Sequence, residues 1–230
     1  MSFKQQLLLT AKKYCTEDIL MEVLRLMPRF MEGLQLTLGL WAITLILSLP
    51  LAFPVAFIRS SKNKLVAGAT KFYIDIMRGT PLLLQMCFIF FGLPEVGIVF
   101  PRFATAVIAF VINYTAYFAE IFRSGLKSID KGQWEAGQML GISKPVLFFR
   151  VILPQTIRTV IPAVTNEVTT LVKDTSLVYI LGLGDLLRQG KIYANSLSSL
   201  APFVLVGAIY FVVITVISKG CEKIEKSFNF

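Results

Sequence analysis

The apolar residues of this chain are grouped in long runs that are separated by short charged segments. Residues 33–58 contain no charged side chain, and this run exceeds the roughly 20 apolar residues that cross about 30 Å of hydrocarbon. Further runs predict spans at about 65–92, 103–123, 157–181 and 200–218. The pattern therefore predicts an all-α membrane protein with five transmembrane helices in a lipid bilayer.

Proline and glycine mark the places where these runs are interrupted. Pro50 and Pro54 predict a kink in the second half of the first span. Gly79-Thr80-Pro81 predicts an interruption midway along the second span. Residues 182–199 are predicted to form a loop before the last span.

The N-terminal residues 1–29 combine lysines, acidic side chains and apolar side chains at helical spacing. They are too charged to cross a membrane, and they lack the sustained apolar core of a cleaved signal peptide. We interpret them as an N-terminal amphipathic segment at the membrane surface, ahead of a single transmembrane domain at 30–230.

The net charge of +9 arises mainly from basic residues in the segments between the apolar runs. Cytoplasmic loops of membrane proteins carry an excess of Lys and Arg, which predicts that residues 59–71, residues 123–158 and the C-terminal tail are cytoplasmic. Five spans then place the N-terminus outside and the C-terminus in the cytoplasm. Because the basic bias reflects topology, no nucleic-acid partner is predicted.

Composition narrows the function classes further. At 55% hydrophobic and 16% charged residues, the chain is more apolar than an average soluble domain. It contains no histidine, and Cys15, Cys87 and Cys221 lack the spacing of metal ligands, which argues against a zinc site and a His-based triad. We predict no metal site, no catalytic residue and no disulfide.

Polar side chains inside the spans are the candidates for function, because an ionised group at the bilayer centre costs roughly 2.5 to 3.5 kcal/mol on insertion scales. On the third span, Asn113, Tyr117, Glu120 and Ser124 share one helical face. On the fourth span, two adjacent stripes predict the other wall of a water-accessible path. These stripes are Asn166, Thr169 and Lys173, and beside them Glu167, Thr170 and Asp174.

The candidate residues for substrate binding and translocation are Thr80, Tyr117, Glu120, Asn166, Glu167, Thr170, Lys173, Asp174, Thr175 and Ser176. An amino acid brings an ammonium group and a carboxylate, for which Asp174 offers an acceptor and its neighbours offer donors. Alternatively, Glu120 pairs with Arg123 and Lys173 pairs with Asp174 as fixed bridges. Recognition would then fall to backbone groups at the interruption at 79–81.

Residues 135–154, EAGQMLGISKPVLFFRVILP, lie between two apolar runs but carry charges, glycines and prolines. Small residues at 136 and 137 would permit close approach of another protein, and Gly141 permits a left-handed turn. The segment therefore predicts a helix, a turn and a second helix that serve as a docking loop at about 127–154. The alternative is an ordinary surface loop, which would not explain the spacing.

That spacing resembles the E-A-A-x3-G-x9-I-x-L-P signature of importer permeases in the ATP-binding cassette superfamily. The matching residues are Glu135, Ala136, Gly137, Gly141, Val151, Leu153 and Pro154, with Gly137 replacing the second alanine and Val151 replacing isoleucine. Two further stretches, MRGTPLLLQMCFIFFGLP at 77–94 and KDTSLVYILGLGDLL at 173–187, are similar to the polar amino-acid permeases of that superfamily. The resemblance covers nearly all of residues 33–187.

The resemblance implies a type I importer-like fold with a cytoplasmic coupling helix, in the cytoplasmic membrane of a bacterial-type cell. It implies a permease that carries a polar amino acid by alternating access, with an identical or homologous second permease, two ATPase subunits and an extracytoplasmic binding protein. Glu135, Ala136, Gly137, Gly141, Leu153 and Pro154 are the expected coupling residues. The chain contains no G-x4-G-K-S/T phosphate loop, so ATP and magnesium are expected on the ATPase partner and no cofactor on this chain.

Two other function classes fit the sequence less well than a permease. An intramembrane enzyme would need catalytic polar groups, but the chain lacks histidine and a Gly-x-Ser-x-Gly segment. An autonomous channel would leave the docking loop unexplained. The sequence does not decide which amino acid is carried or whether the two permeases are identical.

Overall fold

The computed structural model describes residues 25–228, which form helices, helical turns and connecting loops and contain no strand. The N-terminal amphipathic segment predicted at 1–29 lies largely outside the described residues, and residues 27–29 belong to the first helix. The helices are α1 Met27–Arg59, α2 Lys64–Gly79, α3 Leu82–Cys87, α4 Arg102–Ser128, α5 Lys131–Met139, α6 Lys144–Leu147, α7 Leu153–Asp174, α8 Leu186–Leu197 and α9 Ala201–Phe228.

Short turns of other helical types extend several of these helices. The π-helical segment Phe88–Gly92 and the 3-10 segment Leu93–Val96 follow α3. The π-helical segment Phe148–Ile152 joins α6 to α7, and the 3-10 segment Thr175–Leu181 continues α7. Residues Lys144–Leu181 thereby form one helical path of 38 residues.

Four helical segments of the described chain are long and apolar enough to cross a membrane: Met27–Arg59, Arg102–Ser128, Lys144–Leu181 and Ala201–Phe228. A fifth span results if Lys64–Gly79 and Leu82–Val96 are counted together, although they meet at an angle of 105°. The predicted all-α membrane fold is confirmed, and the break falls at the predicted Gly79-Thr80-Pro81. α1 runs through Pro50 and Pro54, so the kink there stays a prediction.

Some boundaries differ from the prediction. The first helix begins six residues before position 33, at Met27, and the last extends ten residues beyond 218, to Phe228. The loop predicted at 182–199 was wrong, because most of it forms α8. Asp185 caps this helix by accepting a hydrogen bond from the Leu187 backbone N–H at 3.0 Å, and burial raises the pKa of Asp185 to about 6.

The centre of the fold is the packing of α1 against α4. α1 buries a stripe rich in small residues, and α4 also buries several alanines, so the two backbones approach closely, as is usual where helices pack within lipid. The stripe is Gly33, Thr37, Leu40, Thr44, Ser48, Ala52 and Ala56. The Trp41 indole N–H donates to the Val168 carbonyl at 2.9 Å and so ties α1 to α7.

Candidate functional site

A cavity of about 500 Å³ lies where the break between α2 and α3 faces α4 and α7. Its wall on the α2 side consists of residues 78–82, which include the two residues between the helices. Thr80 has extended backbone angles, φ −121° and ψ 148°, and its hydroxyl donates to the Ile76 carbonyl at 2.8 Å. The interruption therefore brings backbone and polar side chains to the cavity surface.

The α7 side of the cavity carries Glu167, Thr170 and Asp174. Their spacing of three and four residues places them on one helical face, which is one of the two stripes predicted for this span. The Tyr114 hydroxyl on α4 donates to Asp174 Oδ2 at 2.7 Å. Tyr117, one turn further along α4, also lines the cavity.

The cation of the cavity is Arg78, which was not among the predicted site residues. It lies at the end of α2, with its guanidinium carbon 5.3 Å from the centre of the Tyr117 ring, within the range of a cation–π contact. A signal was present in the sequence, since Arg78 is the last charge before the helix-breaking Gly-Thr-Pro and the apolar run that follows it. One guanidinium and two carboxylates, those of Glu167 and Asp174, therefore line the same cavity.

Of the ten residues predicted for the path, five line this cavity: Thr80, Tyr117, Glu167, Thr170 and Asp174. The other five do not. Glu120 instead accepts a hydrogen bond from Arg123 Nε at 2.7 Å, within an ion pair on its own helix. This is the fixed pairing considered as an alternative for Glu120.

The remaining four predicted residues are Asn166, Lys173, Thr175 and Ser176. Asn166 and Lys173 are exposed outside the cavity, and Ser176 lies outside its lining. Thr175 is fully buried and donates to the Val172 carbonyl at 2.7 Å. Asp174 is hydrogen-bonded to Tyr114, and neither ion pair found within residues 25–228 joins it to Lys173.

A second region of interest is the docking loop at 127–154. Asp130 caps α5 by accepting a hydrogen bond from the Gly132 backbone N–H at 2.6 Å. The helix ends just before Gly141, whose φ of +69° is left-handed, and the chain becomes helical again at Lys144. The loop thus has the predicted helix–turn–helix shape, and the left-handed turn lies at the predicted glycine.

The two small residues of this loop differ in their surroundings. Ala136 is exposed beside the exposed Glu135, whereas Gly137 is buried. A Cβ atom on Gly137 would lie 2.4 Å from Cδ1 of Leu147, which is itself buried. The small size of residue 137 is therefore explained by packing within the loop, whereas the sequence interpretation assigned it to the approach of another protein.

The docking loop also exposes apolar side chains that the sequence interpretation did not single out. Met139 is 91% exposed and Leu140 is 78% exposed at the end of α5. Adjacent large apolar side chains exposed beside a glutamate are typical of a protein interaction surface.

The last two expected coupling residues, Leu153 and Pro154, begin α7. Leu153 is half-buried and Pro154 is exposed.

Comparison with known proteins agrees with this geometry. Residues 48–223 match the family described as binding-protein-dependent transport system inner membrane component. The chain is 36% identical over 205 residues to the arginine transport system permease protein ArtQ of Bacillus subtilis, covering 87% of this chain and 94% of that protein. It is 35% identical over 201 residues to the L-cystine transport system permease protein TcyB of the same organism, covering 86% of each.

Further similarity extends to a third permease and to solved structures. The chain is 34% identical over 197 residues to a putative glutamine transport system permease protein GlnP of Rickettsia conorii, covering 85% of this chain and 90% of that protein. A crystal structure of an amino acid ABC transporter with histidines superposes with a TM-score of 0.85 at 33% identity, covering 90% and 97% of the two chains. An inward-facing structure of the MetNI methionine ABC transporter superposes with a TM-score of 0.72 at 18% identity, covering 89% and 98%, and shares the fold.

Proposed function

We propose, because this chain belongs to the family of binding-protein-dependent transport system inner membrane components, that the cavity between α2, α4 and α7 binds the transported amino acid. The chain is an inner-membrane permease subunit of an amino-acid importer of the ATP-binding cassette superfamily. The observation that carries the proposal is the meeting of Arg78 with Glu167 and Asp174 in one cavity of the transmembrane region.

The charges of the cavity match those of an amino acid. Arg78 is the partner for the α-carboxylate, which can only accept hydrogen bonds. Asp174, already oriented by the Tyr114 hydroxyl, accepts hydrogen bonds from the ammonium group. Ion pairing of this kind offsets the cost of holding charged groups within the membrane, which is several kcal/mol for an unpaired ion.

The charge balance favours a cationic substrate. The cavity lining contains two carboxylates and one guanidinium, so a zwitterionic amino acid would leave one carboxylate without a partner. The side chain of arginine, lysine or protonated histidine would supply that partner, and Glu167 is the residue we assign to it. The arginine permease among the relatives supports this choice, whereas the cystine and glutamine permeases support only the broader class of polar amino acids.

We assign the docking loop the role of binding the ATPase subunits, which in turn bind ATP and magnesium. Glu135 supplies a charge, Met139 and Leu140 supply apolar area, and Gly141 shapes the turn. The helical path from Lys144 to Leu181 supports the coupling, because it connects the loop directly to the cavity carboxylates on α7. Closure of the ATPase subunits would thereby shift α7 and change the side from which the cavity is open.

The remaining partners follow from the family. We assign a second permease, identical or homologous, as the other half of the transmembrane unit, and an extracytoplasmic binding protein as the source of substrate. We further propose that the docking loop and the end of α9 lie in the cytoplasm and that the N-terminus lies outside.

Replacing Asp174 tests the cavity. Asp174→Asn keeps the size of the side chain but removes its charge, so the half-saturating amino-acid concentration should rise about tenfold to a hundredfold, matching a charge-assisted hydrogen bond of about 1.5 to 3 kcal/mol. Binding and basal ATP hydrolysis are measured on the purified complex of permease and ATPase. The matched control is Lys173→Gln, which removes a charge from the exposed neighbouring residue.

The two variants together separate recognition from assembly. Basal ATP hydrolysis should persist in Asp174→Asn, and Lys173→Gln should bind the amino acid as the wild type does. An unchanged half-saturating concentration in Asp174→Asn would move the substrate site away from this cavity.

A further inference from the structure

The break between α2 and α3 removes a backbone donor from the interior of the transmembrane region. In a continuous helix the N–H of residue 81 would donate to the carbonyl of Met77, but Pro81 has no N–H. A carbonyl left without a donor within a membrane is unfavourable, because no water is present to replace the lost hydrogen bond. The Met77 carbonyl instead accepts from two side chains, Gln85 Nε2 at 3.0 Å and Asn113 Nδ2 at 2.8 Å.

These two side chains form one connected group, which we call the amide clamp. Asn113 Nδ2 also donates to Gln85 Oε1 at 3.0 Å. Gln85 Nε2 also lies within hydrogen-bond distance of two oxygens of Thr80, the carbonyl oxygen at 3.1 Å and Oγ1 at 2.8 Å. Because Gln85 is on α3 and Asn113 is on α4, the clamp holds both sides of the break against a third helix.

The clamp contacts the residues on either side of Arg78 and Gly79. Met77 precedes Arg78, and Thr80 follows Gly79, so the backbone that carries the cavity guanidinium is held at both ends. Both amide hydrogens of Asn113 are used by Met77 and Gln85. Gln85 lies outside the cavity lining and reaches the cavity through this backbone and through the side chains of Thr80 and Asn113, both of which line it.

We propose that the amide clamp of Gln85 and Asn113 positions Arg78 to bind the α-carboxylate of the substrate. Gln85 and Asn113 are then positioning residues for substrate recognition. The inference rests on the proposed function of the cavity, and it adds the group that fixes where the carboxylate binds.

The test compares an amino acid with its carboxamide, because only the former presents a carboxylate to Arg78. Affinities for arginine and for argininamide are measured on the purified complex of permease and ATPase, and their ratio is the readout. Gln85→Met removes the donor while keeping the length of the side chain. Gln85→Glu is the second variant, because it keeps both size and polarity but its carboxylate has no hydrogen to donate.

We expect either Gln85 variant to lower the preference for arginine over argininamide about tenfold, as loss of a well-aligned charged contact would. Basal ATP hydrolysis and assembly with the ATPase should be retained. Gln155→Met is the matched control, because Gln155 Nε2 also donates to a backbone carbonyl, that of Val151 at 2.9 Å, but far from the cavity. Its preference ratio should equal that of the wild type.

Arg78→Gln separates failure of the clamp from failure of the site. If Arg78→Gln lowers the ratio but neither Gln85 variant does, the clamp does not position Arg78. If arginine and argininamide lose affinity equally in the Gln85 variants, or assembly fails in both, the clamp is only structural. If Arg78→Gln also leaves the ratio unchanged, the proposed carboxylate site is wrong, and the clamp proposal is overturned with it.

Discussion

The chain is interrupted by a helix break at Gly79-Thr80-Pro81 and by a turn at Gly141, and the two differ in what stabilises the backbone. At the first, carbonyls accept hydrogen bonds from Gln85 on α3, which follows the break, and from Asn113 on α4. At the second, Gly141 has a left-handed φ of +69°, and no atom lies within 4 Å of the place that a Cβ would take. The break is held by side chains of the helices around it, whereas the turn is held by its own backbone, in which the Ile142 N–H donates to the Gly137 carbonyl at 3.0 Å.

The difference follows from the surroundings of each interruption. A broken helix in the membrane has no water to bond its backbone groups, so partners must come from the protein itself. A turn in a solvent-exposed loop can close with backbone hydrogen bonds of its own, and it then needs a residue that tolerates the left-handed conformation. We therefore expect changes near the break to alter substrate binding, and changes at the docking loop to alter coupling or local stability.

The largest effect is expected from reversing the charge of the exposed Glu135 on the docking helix. We expect Glu135 to pair with a basic group on the ATPase subunit. Glu135→Lys should then reduce substrate-stimulated ATP hydrolysis to the basal rate, because a like charge placed against such a group costs several kcal/mol. Substrate affinity should stay at the wild-type value, since the cavity is distant. ATP hydrolysis is measured with and without amino acid, with Glu222→Lys, another exposed glutamate, as the control. If substrate still stimulates ATP hydrolysis fully in Glu135→Lys, the segment is an ordinary surface loop and not a docking loop.

An intermediate effect is expected at the cavity, from Glu167. Glu167→Gln leaves one carboxylate and one guanidinium, which matches a zwitterion better than a cation. The preference for arginine over glutamine should therefore fall about tenfold, whereas bound substrate should still stimulate ATP hydrolysis. Competition binding measures the preference, and Asn166→Ala on the exposed neighbouring residue is the control. A preference that does not change would show that Glu167 does not contact the substrate side chain.

The smallest effect is expected at the turn itself. Gly141→Ala places a Cβ in the left-handed region and should destabilise the docking loop by about 1 kcal/mol. Gly39→Ala is closely matched, because a Cβ at that position also meets no atom within 4 Å, yet Gly39 lies within helix α1 and has no positive φ. Thermal unfolding of the purified permease should therefore separate the two variants. Equal melting temperatures would mean that the turn tolerates a side chain.

Much of the architecture was predictable because its causes are local. A run of apolar residues long enough to cross the bilayer is a property of consecutive positions, and so is a proline that cannot donate a backbone hydrogen bond. The same holds for Gly141 and for the stripe of Glu167, Thr170 and Asp174, whose common face follows from helical periodicity. α8 was missed because it is polar and lies between spans, although its Asp185 cap was visible in the sequence.

The tertiary structure decided which faces meet. Helical periodicity places Glu120 on the same face as Tyr117, but only the structure shows that Glu120 pairs with Arg123 while Tyr117 contacts Arg78. It also places Lys173 outside the cavity that its neighbour Asp174 lines. The sequence by itself determined where the spanning helices form and where the second of them breaks, because those choices depend on nearby residues. The partners of each polar group depended on helix rotation and packing, which bring together residues far apart in the chain.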